Sequence, residues 1–309
     1  MWDNKRYHSL DYELKKSYGH KVYKLSLNGG MSCPNRDGTL GSRGCIFCSQ
    51  GGSGDFAAPA NLSVSEQIEC AKRLIQSKIK SADIKYIAYF QAYTNTYAPV
   101  SYLRKLFMED VMHPDILILS IATRPDCIDD EILDLLAELN TIKPVWIELG
   151  LQTIHETSAN FIRRGYSLGV FENQVYNLRK KNIDVIVHTI LGLPNESKND
   201  MLMTMEYLSS LPIQGVKLQL LHILKDTDLG RMYEEGLVST LDLDSYIDIL
   251  ISCLELLSPD IIIHRLTGDG PKDKLLAPLW SSNKKLVLNS IYKEMKDRDS
   301  YQGKSFNRI

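Results

Sequence analysis

Seven short apolar runs, each giving way to a stretch with helical spacing, constrain this chain more than any other feature. The runs are Val22–Leu27, Ile84–Phe90, Ile116–Ala122, Val145–Leu149, Ile183–Leu191, Val216–Leu221 and Ile261–Leu266. Helical periodicity follows at Val64–Ile79, from Pro99 to Met112, at Asp129–Leu139, His155–Arg163, Leu168–Lys181, Ser197–Ser210, Asp228–Glu235, Asp242–Leu257 and Lys284–Lys296. Strands that repeatedly give way to helices predict a parallel sheet covered by helices. Largely apolar strands in this number fit an incomplete barrel better than a flat doubly wound sheet. No G-x-G-x-x-G follows the first run, which removes the usual dinucleotide signal. The expectation is an α/β protein built as a partial TIM-type (β/α)6 barrel. At 309 residues and 44% hydrophobic the chain can bury one large core, and no composition break divides 22–280. An N-terminal extension (1–21), one core domain (22–280) and a basic C-terminal helix and tail (281–309) are expected.

The first run leads straight into a loop holding Cys33, Cys45 and Cys48 at a spacing of C-x11-C-x2-C, among glycines and charges. Gathered thiolates suit iron–sulfur or zinc. Structural zinc sites are closed by four protein ligands. Here the fourth is missing, for His20 is the nearest histidine upstream and none follows until His113. Three ligands on a [4Fe–4S] cube leave one iron open for a small molecule, and the loop reads as that site. A zinc loop completed by a remote histidine or aspartate is the alternative. Cys70, Cys127 and Cys253 are scattered singly through apolar surroundings and read as packing residues. Met1-Trp2-Asp3-Asn4-Lys5 begins no signal peptide, and no apolar run approaches the ~18 residues of a membrane span. A cytoplasmic, reducing setting without membrane attachment is expected, which disfavours disulfides.

If chemistry sits at the C-terminal ends of barrel strands, polar residues should collect there, and they do. Strand two ends in Gln91-Ala92-Tyr93-Thr94-Asn95, strand three in Thr123-Arg124-Pro125-Asp126 and strand four in Glu148-Leu149-Gly150-Leu151-Gln152. Strand five carries His188 and ends in Gly192-Leu193-Pro194; strand six carries Lys217, Gln219 and His222; the last ends in His264-Arg265-Leu266-Thr267-Gly268-Asp269. By strand parity His188, Lys217, His222 and Arg265 point toward the barrel mouth and are the substrate candidates. A buried structural histidine is the competing reading for either His.

Phe47, just before the last cysteine, matches the habit of radical S-adenosylmethionine (SAM) enzymes. Together with FQAYTNTYAP, SIATRPD, ELGLQT, the RRGYS turn, HTILGLP and RLTGDGP, it makes the chain resemble the radical SAM branch related to the elongator catalytic subunit. Within that branch it is similar to the bacterial MnmL/YhcC-like family over about residues 5–300. The resemblance implies a SAM-bound [4Fe–4S] cluster, whose reduction cleaves SAM to methionine and a 5′-deoxyadenosyl radical, and it implies RNA modification. Its implied substrate is the tRNA wobble uridine, taken from 5-carboxymethylaminomethyluridine to 5-aminomethyluridine, with a separate tRNA methyltransferase acting downstream. A reducing electron donor such as flavodoxin or ferredoxin is implied too. Alternatives are the same radical start on a small metabolite or peptide, or a non-catalytic iron–sulfur or zinc protein. The elongator subunit's acetyltransferase domain has no room here, so acetyl-CoA chemistry is not expected.

The resemblance also assigns residues. Cys33, Cys45 and Cys48 hold the cluster, and Phe47 contacts SAM. Gln91, Tyr93 and Thr94 stand where the superfamily often has Gly-Gly-Glu for the methionine amino group; Glu is absent, leaving hydroxyls and amides. Glu148 and Gln152 bind the ribose or methionyl part, Arg164 the carboxylate, and Gly192 and Leu193 the adenine.

Net charge is −2, yet both ends are basic. Residues 1–24 carry six cations against three acids, and residues 283–309 seven against three. Lys5, Arg6, Lys15, Lys16, Lys284, Lys285 and Arg298 could share one phosphate-binding rim; solvated helix faces are the competing reading.

Overall fold

The computed structural model describes residues 2–52, 54–79, 84–268 and 270–307. Met1 and Asp269, named above, lie outside the described residues. Nine strands are present among them: β1 (Tyr23–Leu27), β2 (Tyr86–Phe90), β3 (Ile116–Thr123), β4 (Val145–Gln152), β5 (Asp184–Leu191), β6 (Gly215–Leu220), β7 (Ile223–Leu224), β8 (Ile262–Arg265) and β9 (Leu275–Ala277). The α-helices are α1 (Leu10–Tyr18), α2 (Val64–Ile75), α3 (Val100–Met112), α4 (Asp130–Asn140), α5 (Glu156–Phe161), α6 (Leu168–Lys180), α7 (Lys198–Ser210), α8 (Asp228–Glu234), α9 (Leu243–Leu256) and α10 (Lys284–Asp297).

Seven strands form one parallel sheet in the order β1-β2-β3-β4-β5-β6-β8. Strands adjacent in sequence are adjacent in space, the order of a barrel rather than of a doubly wound sheet. The sheet is curled. Lys24 on β1 reaches Glu148 on β4 at 2.6 Å, although three strand spacings in a flat sheet amount to roughly 14 Å. β7 and β9 make a separate antiparallel ladder above the strand ends. The expected α/β partial barrel is thus present, with seven strands rather than six.

Alternation along each strand divides its side chains between two faces. One set, including Leu25, Phe90, Leu119, Ile147, Val185 and Val216, packs outward against Ile68, Phe107, Leu136, Phe171, Met205 and Leu250 of the helices. The other set lines the interior in layers. In the lowest, Ile87, Ile118 and Trp146 meet Leu10, Leu14 and Tyr18 of α1. The N-terminal segment is therefore a helix that closes the bottom of the barrel, capped by Ser9, whose hydroxyl accepts from the Tyr12 N–H. Helix α2 begins with a reciprocal capping box between Ser63 and Glu66 and ends at Ile75, with a 3-10 turn after it, earlier than its periodicity predicted.

The chain ends meet beside β8. Arg6 pairs with Asp299 at 2.8 Å, the Gln302 N–H donates to the Arg6 carbonyl, and its side-chain oxygen accepts from the His8 N–H. Acids interleaved there partner much of the expected rim: Asp11 takes Lys15, Glu13 lies 4.0 Å from Lys16, and Arg298 pairs with Asp248 and Glu294.

Candidate active site

The cysteine loop lies over the C-terminal ends of the strands because a second apolar cluster pins it there. Ile46 is buried with Ile162, Ile190, Leu193, Leu221 and Leu229, and Phe47 packs against the same group. Burying one such side chain stabilises by about 1.5–3 kcal/mol. Backbone bonds fix the same residue: its N–H donates to the Ile162 carbonyl, and its carbonyl accepts from the Leu229 N–H at 2.9 Å. Tyr93 supports the loop from the β2 side. Its hydroxyl donates to the Gln50 carbonyl, and its N–H donates to the Gly52 carbonyl. A Cβ on Gly52 would stand 2.3 Å from the Tyr93 ring, so only glycine lets the two approach.

Beneath the loop lies one cavity whose wall includes Cys33, Cys45, Phe47 and Cys48. Asn35 donates to Cys45 Sγ at 3.5 Å while holding the carbonyls of Arg163 and Arg164. Arg36 donates to the carbonyls of Cys48 and Ser49. Burial weakens the Arg36 cation, but the charges of Cys48 and Cys33 outweigh it. Burial and the neighbouring Cys48 push the Cys45 thiol up to about 12, so its thiolate needs a cationic partner. Three sulfurs on one wall, with an amide donor on Cys45 and the Arg36 cation beside them, fit a cluster bound through three cysteines. They line an open wall: among the described residues no three His, Cys, Asp or Glu side chains are drawn into a closed ligand cage.

The floor is a buried charge network. Glu148, 1% exposed, accepts from Lys24 (2.6 Å) and Ser120 (2.8 Å) on one oxygen, and from His188 (2.6 Å) and Lys217 on the other. Burial opposes the Glu148 anion, but Lys217, Lys24 and His188 prevail and hold its carboxyl well below the usual range. Burial, then Lys217, pushes His188 down to about 4. A neutral ring donating Nε2–H to a carboxylate keeps Nδ1 as its acceptor. Lys217 lies over the Tyr89 ring, 4.3 Å from its centroid, and donates to the Tyr89 hydroxyl.

The structure brings most of the expected residues to this cavity: the three cysteines, Phe47, Gln91, Tyr93, Thr94, Glu148, Gln152, Arg164, His188, Lys217 and Arg265 all line it. His222 lines an adjoining cavity that shares Phe47, Gln91, Gln152, His188 and Arg265. Three expected roles change. A carboxylate offers about four acceptor positions, and all of those on Glu148 are taken by protein groups, so it organises the floor rather than a ribose. Arg164, 1% exposed, donates to the carbonyls of Leu151, Thr153 and Tyr166 and to Glu156, which leaves its guanidinium holding the RRGYS turn. Gly192 and Leu193 do not line the cavity. Gly192 (φ +86°) sits under Leu241 and donates to Met201 Sδ, while Leu193 belongs to the cluster around Ile46. Sequence reasoning missed Arg36, Tyr89 and Tyr166, and named Gln219 on strand six without giving it a role. Tyr89 and Gln219 stand two positions from Gln91 and Lys217, so strand parity was the available signal.

Comparison with known proteins agrees with this geometry. The Radical SAM superfamily model matches residues 38–208 and the Radical_SAM C-terminal domain model residues 213–297. The chain is 47% identical to YtqA of Bacillus subtilis over 99% of its length and 94% of that protein. It is 37% identical to YhcC of Escherichia coli over 88% of its length and 86% of that protein. The solved structure of archaeal Methanocaldococcus infernus Elp3 shares its fold, with a TM-score of 0.70 at 15% identity. That match covers 91% of this chain, which spans 64% of the Elp3 chain. The chain belongs to the radical SAM superfamily, whose members use a [4Fe–4S] cluster and SAM, and within it to the YhcC-like family.

Proposed function

We propose that this radical SAM enzyme modifies tRNA at the wobble uridine, removing the carboxymethyl part of 5-carboxymethylaminomethyluridine to leave 5-aminomethyluridine. The reading rests on the motif resemblance to the elongator-related branch and on one observation of the site. The cavity carrying the three cysteines is lined by the guanidinium groups of Arg36 and Arg265, whereas Lys217 on its floor is paired with Glu148 and His188 is a neutral ring. The two arginines suit the carboxylate that distinguishes this substrate from its product. When bound, the cluster and SAM supply the radical that abstracts hydrogen from an unactivated C–H bond. The protein's own work is placement. Cys33, Cys45 and Cys48 would hold the cluster, with Asn35 donating to the Cys45 sulfur and Arg36 holding the backbone at Cys48. Phe47, Gln91, Thr94 and Gln152 surround the space where SAM would lie, and the loop above it excludes water. Glu148 fixes Lys217 and the tautomer of His188. An electron donor such as flavodoxin or ferredoxin, a downstream tRNA methyltransferase and a cytoplasmic setting belong to the same proposal; among the described residues no helix is long and apolar enough to cross a membrane.

Nucleoside analysis of tRNA from a deletion strain tests this. 5-Carboxymethylaminomethyluridine should accumulate, and wild-type protein, but not Cys33→Ala, should restore its removal. Unchanged nucleosides would overturn the tRNA reading and leave a small metabolite or peptide as the substrate class.

A further inference from the structure

Asp228, at the start of α8, accepts from three arginines at once: Arg43 at 2.6 Å, Arg163 and Arg231. They come from the cysteine loop, from the turn after α5 and from α8. One carboxylate offsets one of the three cations, so the group keeps two positive charges in a chain whose net charge is −2. Arg43 and Arg231 are well exposed, at 66% and 62%, while Asp228 is at 15%. Each guanidinium presents five N–H donors, so the forks of Arg43 and Arg231 face solvent with most of their donors turned outward. At the basic ends of the chain, by contrast, Arg6 and Lys15 each have an acid of their own and Arg298 has two.

The cluster's position is specific. Arg43 lies two residues before Cys45, and Arg163 donates to the Gly44 carbonyl at 3.3 Å. A groove lined by Asn35, Gly41, Ser42, Arg43, Arg163 and Gly165 runs beside it, and Gly44 lines both this groove and the cysteine cavity. The small residues leave backbone and arginine forks open to a chain passing over them. Guanidinium forks match phosphate oxygens two at a time, and phosphate contacts set the register of a nucleic acid without reading its sequence.

We propose that Arg43, Arg163 and Arg231, gathered on Asp228 at the rim of the cysteine loop, are the phosphate-contact surface for the RNA strand that delivers its nucleotide to the cavity. The proposal rests on the tRNA reading above. Its test uses the full-length, cluster-reconstituted enzyme and a labelled anticodon stem–loop RNA, with binding followed by anisotropy from 50 to 200 mM KCl. Arg43→Glu with Arg231→Glu should weaken binding at least tenfold at 100 mM KCl. Two lost phosphate contacts should shrink the slope of log affinity against log salt by roughly 1.4–1.8. SAM cleavage without RNA should stay unchanged. Because charge reversal can disturb the loop, Arg43→Gln with Arg231→Gln is measured beside it, and the same slope change is expected with a smaller loss of affinity. If wild type binds RNA and both variants match it in affinity and slope, the patch is overturned while the tRNA reading stands. Loss of SAM cleavage in both variants would overturn it too, by reducing the arginines to supports of the loop. If wild type binds no RNA at 50 mM KCl, or instead binds phosphatidylglycerol vesicles through these arginines, the patch falls, and the nucleoside analysis then decides the tRNA reading separately.

Discussion

Glu148 is the residue on which the floor of the site depends. It carries a full charge where almost no water reaches, and it is tolerated because Lys24, Lys217, His188 and Ser120 all donate to it. Removing one partner of a buried ion pair costs about 3–5 kcal/mol, since the remaining charge stays buried without compensation. Glu148→Gln leaves two ammonium groups in that position and should lose about that much in chemical denaturation, whereas Ser120→Ala should lose about 1 kcal/mol. Equal losses would remove Glu148 from its place at the hub. The same network makes the protein acid-labile. His188 has a folded value of about 4 against 6.5 when free. The unfolded chain therefore binds the extra proton first, and stability falls as pH drops from about 6.5 to 4. Glu148, whose value is depressed, extends the loss below the ordinary carboxylate range. Thermal unfolding across this range should show the decline, and His188→Gln should flatten its upper part; an unchanged profile in that variant would refute the assignment. Parity along β5 and β6 pointed His188 and Lys217 inward from sequence alone, while Glu148 was placed at the site by the resemblance. What neither could reveal was Lys24 reaching Glu148 from 124 residues away, because that contact exists only once the sheet has curled.

Elements were readable from sequence where length and periodicity agreed, and obscure where either failed. Every main-sheet strand was visible as an apolar run because both of its faces are covered. β7 and β9, of two and three residues, are too short to show any alternation. Helix α1 was missed since its inward face is only Leu10, Leu14 and Tyr18, one residue per turn among polar neighbours. That face nevertheless closes the barrel, so Leu14→Ala should destabilise by about 2–5 kcal/mol. A cost near zero in urea unfolding would mean that α1 is not part of the cooperative core. Helix α3 carries a different liability. Asp110 is wholly buried, neither carboxylate oxygen has a hydrogen-bond partner, and burial raises its pKa well above the carboxylate range despite the opposing Lys143. A carboxyl raised in the folded state holds its proton there, so its contribution is complete below the unfolded pKa and is lost as pH rises toward the folded value. Asp110→Asn cannot ionise. Its stability relative to wild type should therefore improve between about pH 5 and pH 8, and a gap constant across that interval would show that Asp110 does not titrate.

Across the whole molecule, the six cysteines separate into two populations by what surrounds them. Cys33, Cys45 and Cys48 come from one loop and line one cavity. The other three lie in different places. Cys253 is buried in the core on α9, Cys70 on α2 accepts from Arg73 at 2.9 Å, and Cys127 follows β3 with its thiol pushed up to about 12 by burial and Asp126. Cys70 is thus a polar-contacting, partly exposed thiol rather than one in apolar packing. Spacing in the sequence carried this division because the three ligand positions fall within one 16-residue stretch. The floor opposite them had to be assembled from strands scattered over the whole chain. The division sets a whole-molecule expectation for the reconstituted protein. Cys33→Ala, Cys45→Ala and Cys48→Ala should each abolish bound iron, sulfide and the visible charge-transfer absorption, because two thiolates do not hold a cubane. Cys70→Ala, Cys127→Ala and Cys253→Ala should keep all three signals. Cys253→Ala should add a stability loss on the order of 1 kcal/mol for its buried sulfur. Iron lost from any of the second group, with folding intact by circular dichroism, would mean that a fourth thiolate closes the site, and the open position needed for SAM would then have no place in this cavity.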